Sequence, residues 1–173
     1  MKCATIRTKT FRNRFTRTNF YIITVDNKSL EDIILEKQPK ILKGLVPTLL
    51  NWLQDEEERA VVWERTLPSK PWKKTFLPIL MCSEDIDLWC TLIMTEVSMD
   101  EQFVYWNRFG LEVSNAEEPK EIGKKIEWFD NIEGFKFELS EYQQLLEKFR
   151  QNLDVELKKL YLADEGEIVS DYL

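Results

Sequence analysis

Asp87 to Val113 (DLWCTLIMTEVSMDEQFVYWNRFGLEV) holds two apolar arms around one short polar break, and it limits the fold more than any other stretch. The first arm, ending at Val97, carries Leu88, Trp89, Thr91, Leu92, Ile93, Thr95 and Val97 without Gly or Pro. The second resumes with Phe103, Val104, Tyr105, Trp106, Phe109, Leu111 and Val113. β-Branched and aromatic side chains pack well on a pleated surface, and Ser98-Met99-Asp100-Glu101 has the length of a hairpin loop. The stretch therefore predicts a β-hairpin. Neither arm alternates cleanly, which predicts interior strands covered on both faces. Arg108 and Glu112 lie four residues apart beside Trp106. They form either a half-buried ion pair under an aromatic cover or a recognition patch, since Trp and Arg are enriched at interface hot spots.

The rest of the chain predicts elements of both kinds. Asn19–Asp26 (NFYIITVD) reads as a strand. Ser29 offers an N-cap for a helix carrying Leu30, Ile33 and Ile34, with Ile41, Leu42 and Leu45 continuing its spacing and Pro39 breaking or kinking it. Pro47 suits the first turn of a second helix. Leu49, Leu50, Trp52, Leu53, Ala60, Val61 and Trp63 give that helix an apolar side, with Gln54–Arg59 (QDEEER) in solvent. Thr75–Cys82 reads as a strand that Pro78 places at an edge or a bulge. Lys125–Phe129 is a short strand and Asp130–Gly134 a turn. Phe135, Phe137 and Leu139 alternate with charged residues, as on a half-buried strand. Ser140 and Gln143 form a capping-box pattern before a stripe of Tyr142, Leu145, Leu146, Phe149, Leu153, Leu157 and Leu160. Strand, helices, several strands and a helix follow one another without repeating βαβ units. The expectation is α+β, a mostly antiparallel central sheet with helices packed on it. One domain spans 19–160, preceded by a basic N-terminal arm or first strand (1–18) and followed by an acidic tail (161–173).

Charge divides the chain unevenly. Residues 1–17 hold six basic side chains (Lys2, Arg7, Lys9, Arg12, Arg14, Arg17) and no acidic one. The remaining 18 of the 24 basic residues face all 31 acidic ones, a balance of −13. A body this acidic repels nucleic acid and anionic membranes and attracts cationic partners. The basic segment can contact phosphate, pair with the acidic body, or form a strand with exposed Arg and Lys. No apolar run reaches membrane-spanning length, and the N-terminus lacks the apolar core of a secretory signal, so a cytoplasmic protein is expected.

Several kinds of chemistry are missing. The chain has no His, which removes the commonest general base, the usual zinc and haem ligands, and Ser-His or Cys-His nucleophiles. The three cysteines fit no metal spacing, and Cys82 and Cys90 fall in apolar segments that suggest inert buried thiols. Glu84, Asp85 and Asp87 resemble a cation site, but the central Gly and distal Glu of an EF-hand are not in place. Glu56, Glu57 and Glu58 point in three directions around a helix, as on a solvated face. Glycine-rich phosphate loops are absent. No cofactor and no metal site is expected.

The segments LPILMCSEDID, VYWNRFGLEVS and IEWFDNIEGFKFELSEYQQLLEKF, within Leu77 to Phe149, resemble small α+β bacterial proteins that act as immunity partners of polymorphic toxins. The resemblance implies a protein that binds and blocks a toxin domain and has no enzymatic activity. The candidate partner contacts are Glu84, Asp85, Asp87, Asp100, Glu101, Trp106 and Arg108. Two other classes stand beside this one. A small enzyme using carboxylates or Cys90 requires a concave pocket holding a strongly shifted group. A homo-oligomeric structural protein would use the six tryptophans in self-association.

Overall fold

The computed structural model describes residues 1–12 and 19–152. The predicted hairpin lies at its centre as β6 (Leu92–Met99) and β7 (Phe103–Glu112). Every β6 residue from Leu92 to Ser98 is buried, which explains why this arm shows no alternation. Asp100 closes the turn by accepting the Gln102 and Phe103 amides, both at 2.8 Å. The first arm is shorter than its composition suggests. Residues 87–91 form a loop, because the Asp87 carboxylate accepts the Trp89 amide at 2.9 Å in place of a ladder partner.

β6 and β7 belong to an antiparallel sheet ordered β4-β5-β6-β7-β8, in which β4 is Leu45–Pro47, β5 is Thr75–Cys82 and β8 is Ile126–Trp128. β7 is long enough to take two partners along one edge. β8 pairs with its end (Gly110–Glu112) and β9 (Phe135–Glu138) with its start (Phe103–Trp106). A second antiparallel sheet contains β1 (Ile6–Arg12), β2 (Asn19–Val25) and β3 (Lys28–Ser29). The described part of the basic N-terminal segment is therefore a strand, carrying exposed Arg7, Lys9 and Arg12. Ala4 donates its amide to Lys136 O at 2.8 Å and Asp26 donates to Thr5 O at 2.9 Å, so the N-terminus links the two sheets. The chain forms a single α+β domain around one shared core.

Trp106 is the hub of that core. It is fully buried and meets Phe137, Phe109 and Tyr142 edge-on, with ring centroids 5.0, 5.9 and 6.0 Å away. Its indole N–H reaches Tyr142 Oη at 3.4 Å, and that hydroxyl donates to Thr66 O at 3.0 Å. Both polar handles are thereby satisfied. Tyr142, Leu145, Leu146 and Phe149 bury the predicted stripe of α3, helical over 139–152 and starting just before Ser140. Leu153, Leu157, Leu160 and the tail at 161–173 lie outside the described residues.

Several expectations are corrected. α1 (Leu30–Lys37) ends before Pro39, the break expected there, but Ile41, Leu42 and Leu45 do not continue it: the first two sit in a loop and Leu45 opens β4. Pro47 is the last residue of β4 and starts no helix. Leu49, Leu50 and Leu53 are buried in the irregular segment between β4 and α2, and α2 is only Glu56–Glu64. Of the two places expected for Pro78, an edge or a bulge, the structure shows the bulge: β5 is interior, between β4 and β6. The sheet accommodates the proline through a register shift between Pro78 and Leu80, and Thr48 Oγ1 donates to Pro78 O at 2.5 Å.

Candidate functional site at the β5–β6 loop

The loop joining β5 to β6 rests on the first turn of α2. Asp55 caps that helix by accepting the Glu58 amide at 2.9 Å, and Glu56, Glu57 and Glu58 follow where the helix dipole favours negative charge. The sequence places all three glutamates in solvent, but Glu58 is only 6% exposed. Its Oε2 accepts the Leu88 amide at 3.1 Å and its Oε1 accepts the Trp89 indole N–H at 2.7 Å. Burial pushes the Glu58 carboxyl above its ordinary value. The two donors oppose that shift, while the charges of Asp87 and Asp55 reinforce it. Trp89, anchored in this way, still leaves 45% of its surface open.

At the base of the loop Cys82 donates its amide to Thr91 O at 3.1 Å, which holds the end of β5 beside the start of β6. Cys82 is buried, whereas Cys90 is exposed, because its segment is a loop and not the strand its neighbours suggested. The two Sγ atoms and an Asp85 carboxylate oxygen all lie within 4.8 Å of one another. The hydrogen bond with Asp85 is the main influence raising the Cys90 thiol.

The predicted contacts divide between separate places. Glu84 and Asp85 are exposed and Asp87 half-buried on this one loop. Asp100 and Glu101 lie beyond the other end of β6, whose eight residues span roughly 26 Å at the usual rise. Asp100 is also engaged internally, since it accepts the Tyr105 hydroxyl at 2.7 Å in addition to two amides. Those bonds hold its carboxyl below the ordinary value. Trp106 has no surface to offer a partner. A bulge in β7, where Val97 faces Trp106 and Thr95 faces Phe109, sends Trp106 into the core and Arg108 outward.

The bulge also gives Arg108 a different partner from the expected Glu112. Arg108 Nη2 and Nε donate to Glu96 Oε2 at 2.8 and 3.2 Å, and Lys74 Nζ donates to Glu96 Oε1 at 2.8 Å. The guanidinium lies 3.9 Å from the Trp128 ring centroid. Burial alone would raise the Glu96 carboxyl, but the two cations more than offset it and hold it below its ordinary value. Glu112 instead accepts the amides of Ser114 at 2.8 Å and Gly123 at 2.6 Å.

A groove of ≈ 630 Å³ runs between the second sheet and β4, with Phe20, Ile22, Leu45 and Trp52 in its walls. Two carboxylates at its rim serve the backbone. Glu31 Oε1 accepts the Gly44 and Leu45 amides at 2.5 and 2.9 Å, and Asp26 Oδ1 accepts the Thr5 amide at 2.8 Å. Glu58, Glu96 and Cys90, whose proton affinities are shifted, lie outside this groove.

The β5–β6 loop thus presents a braced, half-exposed indole among Glu84, Asp85 and Asp87, next to the acidic first turn of α2. The sequence alone does not mark Trp89 or Glu58 as site residues. In the sequence Trp89 lies within a strand-like run, and the partners of Glu58 lie thirty and thirty-one residues further along the chain. Comparison with protein-family models, curated proteins and solved structures returns no match.

Proposed function

We propose that this chain is a non-enzymatic binding protein whose β5–β6 loop captures a basic protein partner. Its most concrete form is a cytoplasmic bacterial immunity protein that neutralises a toxin domain. The observation that carries the reading is Trp89, 45% exposed and fixed by its bond to the buried Glu58 carboxylate, in a loop whose charges are all negative. Tryptophan is the side chain most often found to dominate interface energy. An indole whose orientation is already set gives up less rotamer freedom on binding. The surrounding carboxylates steer a cationic surface toward it and set partner choice more than affinity. Among the described residues, no helix is long and apolar enough to cross a membrane.

Affinity capture from the native host across salt concentrations tests the reading. The expected result is a stoichiometric basic protein that dissociates more readily as salt rises. Trp89→Ala is expected to weaken that complex about thirtyfold, the size of a hot-spot loss. Glu84→Lys is expected to slow association and to flatten its salt dependence. Association and affinity unchanged in both variants would remove the loop from the interface. Capture of nothing but further copies of the chain would overturn the proposal as a whole.

A further inference from the structure

We propose that Cys82, Asp85 and Cys90 form a binding site for one thiophilic divalent cation of the zinc type. Two sulfurs and one carboxylate oxygen lie within 4.8 Å of one another before any cation draws them together. A tetrahedral zinc with its usual bond lengths holds such donors about 3.5–3.8 Å apart. The remaining closure is of the order of 1 Å. It falls on Asp85 and Cys90, which are exposed and free to make it.

The fold supplies what the sequence spacing concealed. Two cysteines eight positions apart suggest no metal motif by themselves. The Cys82 amide bonded to Thr91 O fixes the ends of the loop side by side. Ile86, at φ 48°, turns the chain back so that Asp85 returns to the two thiols. The result is a Cys-x2-Asp-x4-Cys chelate contained in one loop.

The donor chemistry selects the cation. Two thiolates disfavour calcium and magnesium, which take oxygen ligands, and a thiolate pair with one carboxylate suits a borderline-soft ion. Binding converts both thiols to thiolates, whose lone pairs form the metal–sulfur bonds, and releases two protons to solvent without any change of oxidation state. Three protein ligands leave a fourth position for water or for a donor from another molecule. This assignment stands on the loop geometry and does not depend on the partner-binding reading.

Cobalt(II) titration of the reduced full-length chain tests it. The expected result is saturation at one equivalent, with a thiolate-to-cobalt charge-transfer band and the intense visible absorption of tetrahedral cobalt, both lost on adding zinc. Cys90→Ser is expected to abolish the signal, and Cys90→Ala repeats the test without a hydroxyl oxygen. Asp85→Asn is expected to lower zinc affinity, measured against a chromophoric chelator, by about tenfold or more. Cys3→Ser is expected to bind normally. Circular dichroism confirms that each variant is folded. No charge-transfer band in the reduced chain, a band that survives loss of Cys90, or zinc affinity unchanged in Asp85→Asn would each overturn the site. So would zinc affinity that depends on Cys3.

Discussion

Trp89 donates its indole N–H to Glu58 Oε1 at 2.7 Å, and this bond ties an exposed part of the β5–β6 loop to the first turn of α2. A carboxylate buried to this degree is costly unless its oxygens are matched by donors. Here one donor is the Leu88 amide and the other a side chain whose ring faces solvent. The same two bonds that satisfy Glu58 therefore set the shape of the loop. Any partner that uses Trp89 meets a surface organised from beneath.

Glu58→Gln keeps the size of the side chain but only one accepting oxygen, so one of the two donors loses its partner. The expected cost is about 1–3 kcal/mol of stability. Amide hydrogen exchange should rise at Leu88 and Trp89 more than in β6. The pH response has a definite sign. The folded-state carboxyl is raised above 4.5, so its ionisation costs stability as pH rises from 4.5 through the raised value. Urea unfolding across that window should show this loss in the parent chain and not in the Gln variant.

Glu96 gives the opposite slope. Lys74 and Arg108 hold its carboxyl below 4.5, so the stability it contributes is present above 4.5 and lost as pH falls through the lowered value. Glu96→Gln is expected to cost about 1 kcal/mol at neutral pH, because the side chains of Lys74 and Arg108 are roughly half exposed and water screens the ion pairs. The decline in unfolding free energy below pH 4.5 should flatten in the variant. An unchanged acid limb would show that other carboxylates govern it.

Gly110 is a steric test of the sheet. A Cβ there would lie 2.6 Å from both Glu127 O and Ile126 Cγ2, so Gly110→Ala must push β8 away from β7. Overpacking of this kind costs about 1–3 kcal/mol. The Gly110–Trp128, Leu111–Glu127 and Glu112–Ile126 pairs should lose protection first, while the β7–β9 pairs at Phe103–Trp106 keep theirs. Exchange rising equally along the whole of β7 would count against this local effect.

The features legible in the sequence are those whose cause is local. The β6–β7 hairpin, β5, β9 and the apolar stripe of α3 follow from periodicity and turn chemistry within each segment. Pro47 misled because a proline suits the first turn of a helix and the end of a strand equally well. Leu49, Leu50 and Leu53 have helical spacing but bury themselves from an irregular segment, where tertiary packing decides. Strict alternation puts Trp106 and Arg108 on one face, and one extra residue in β7 separates them. At the candidate site the exposed acids Glu84 and Asp85 were legible. The bond from Glu58 to Trp89 and the approach of Asp85 to two thiols were not, since both depend on where the fold returns the chain.

The two ends of β6 provide the sharpest test of where a partner binds. Glu101 is exposed and Asp100 sits beside it, so charge alone makes them as good a candidate as Glu84 and Asp87. Their geometry differs. Asp100 is committed to the Gln102 and Phe103 amides and to the Tyr105 hydroxyl, and that hydrogen bond, helped by burial and by the carboxylate's charge, pushes Tyr105 up to about 12. Asp100→Asn should therefore lower the apparent ionisation of that phenol toward 10, its ordinary value, in an ultraviolet titration, and weaken the turn. Glu101→Lys should leave both the fold and the rate of partner association unchanged. Glu84→Lys, at the opposite end, should slow association by an amount that shrinks as salt rises, because screening removes the interaction it alters. If Glu101→Lys slows association and Glu84→Lys does not, the interface lies at the β6–β7 turn and Trp89 is a surface residue braced only for stability.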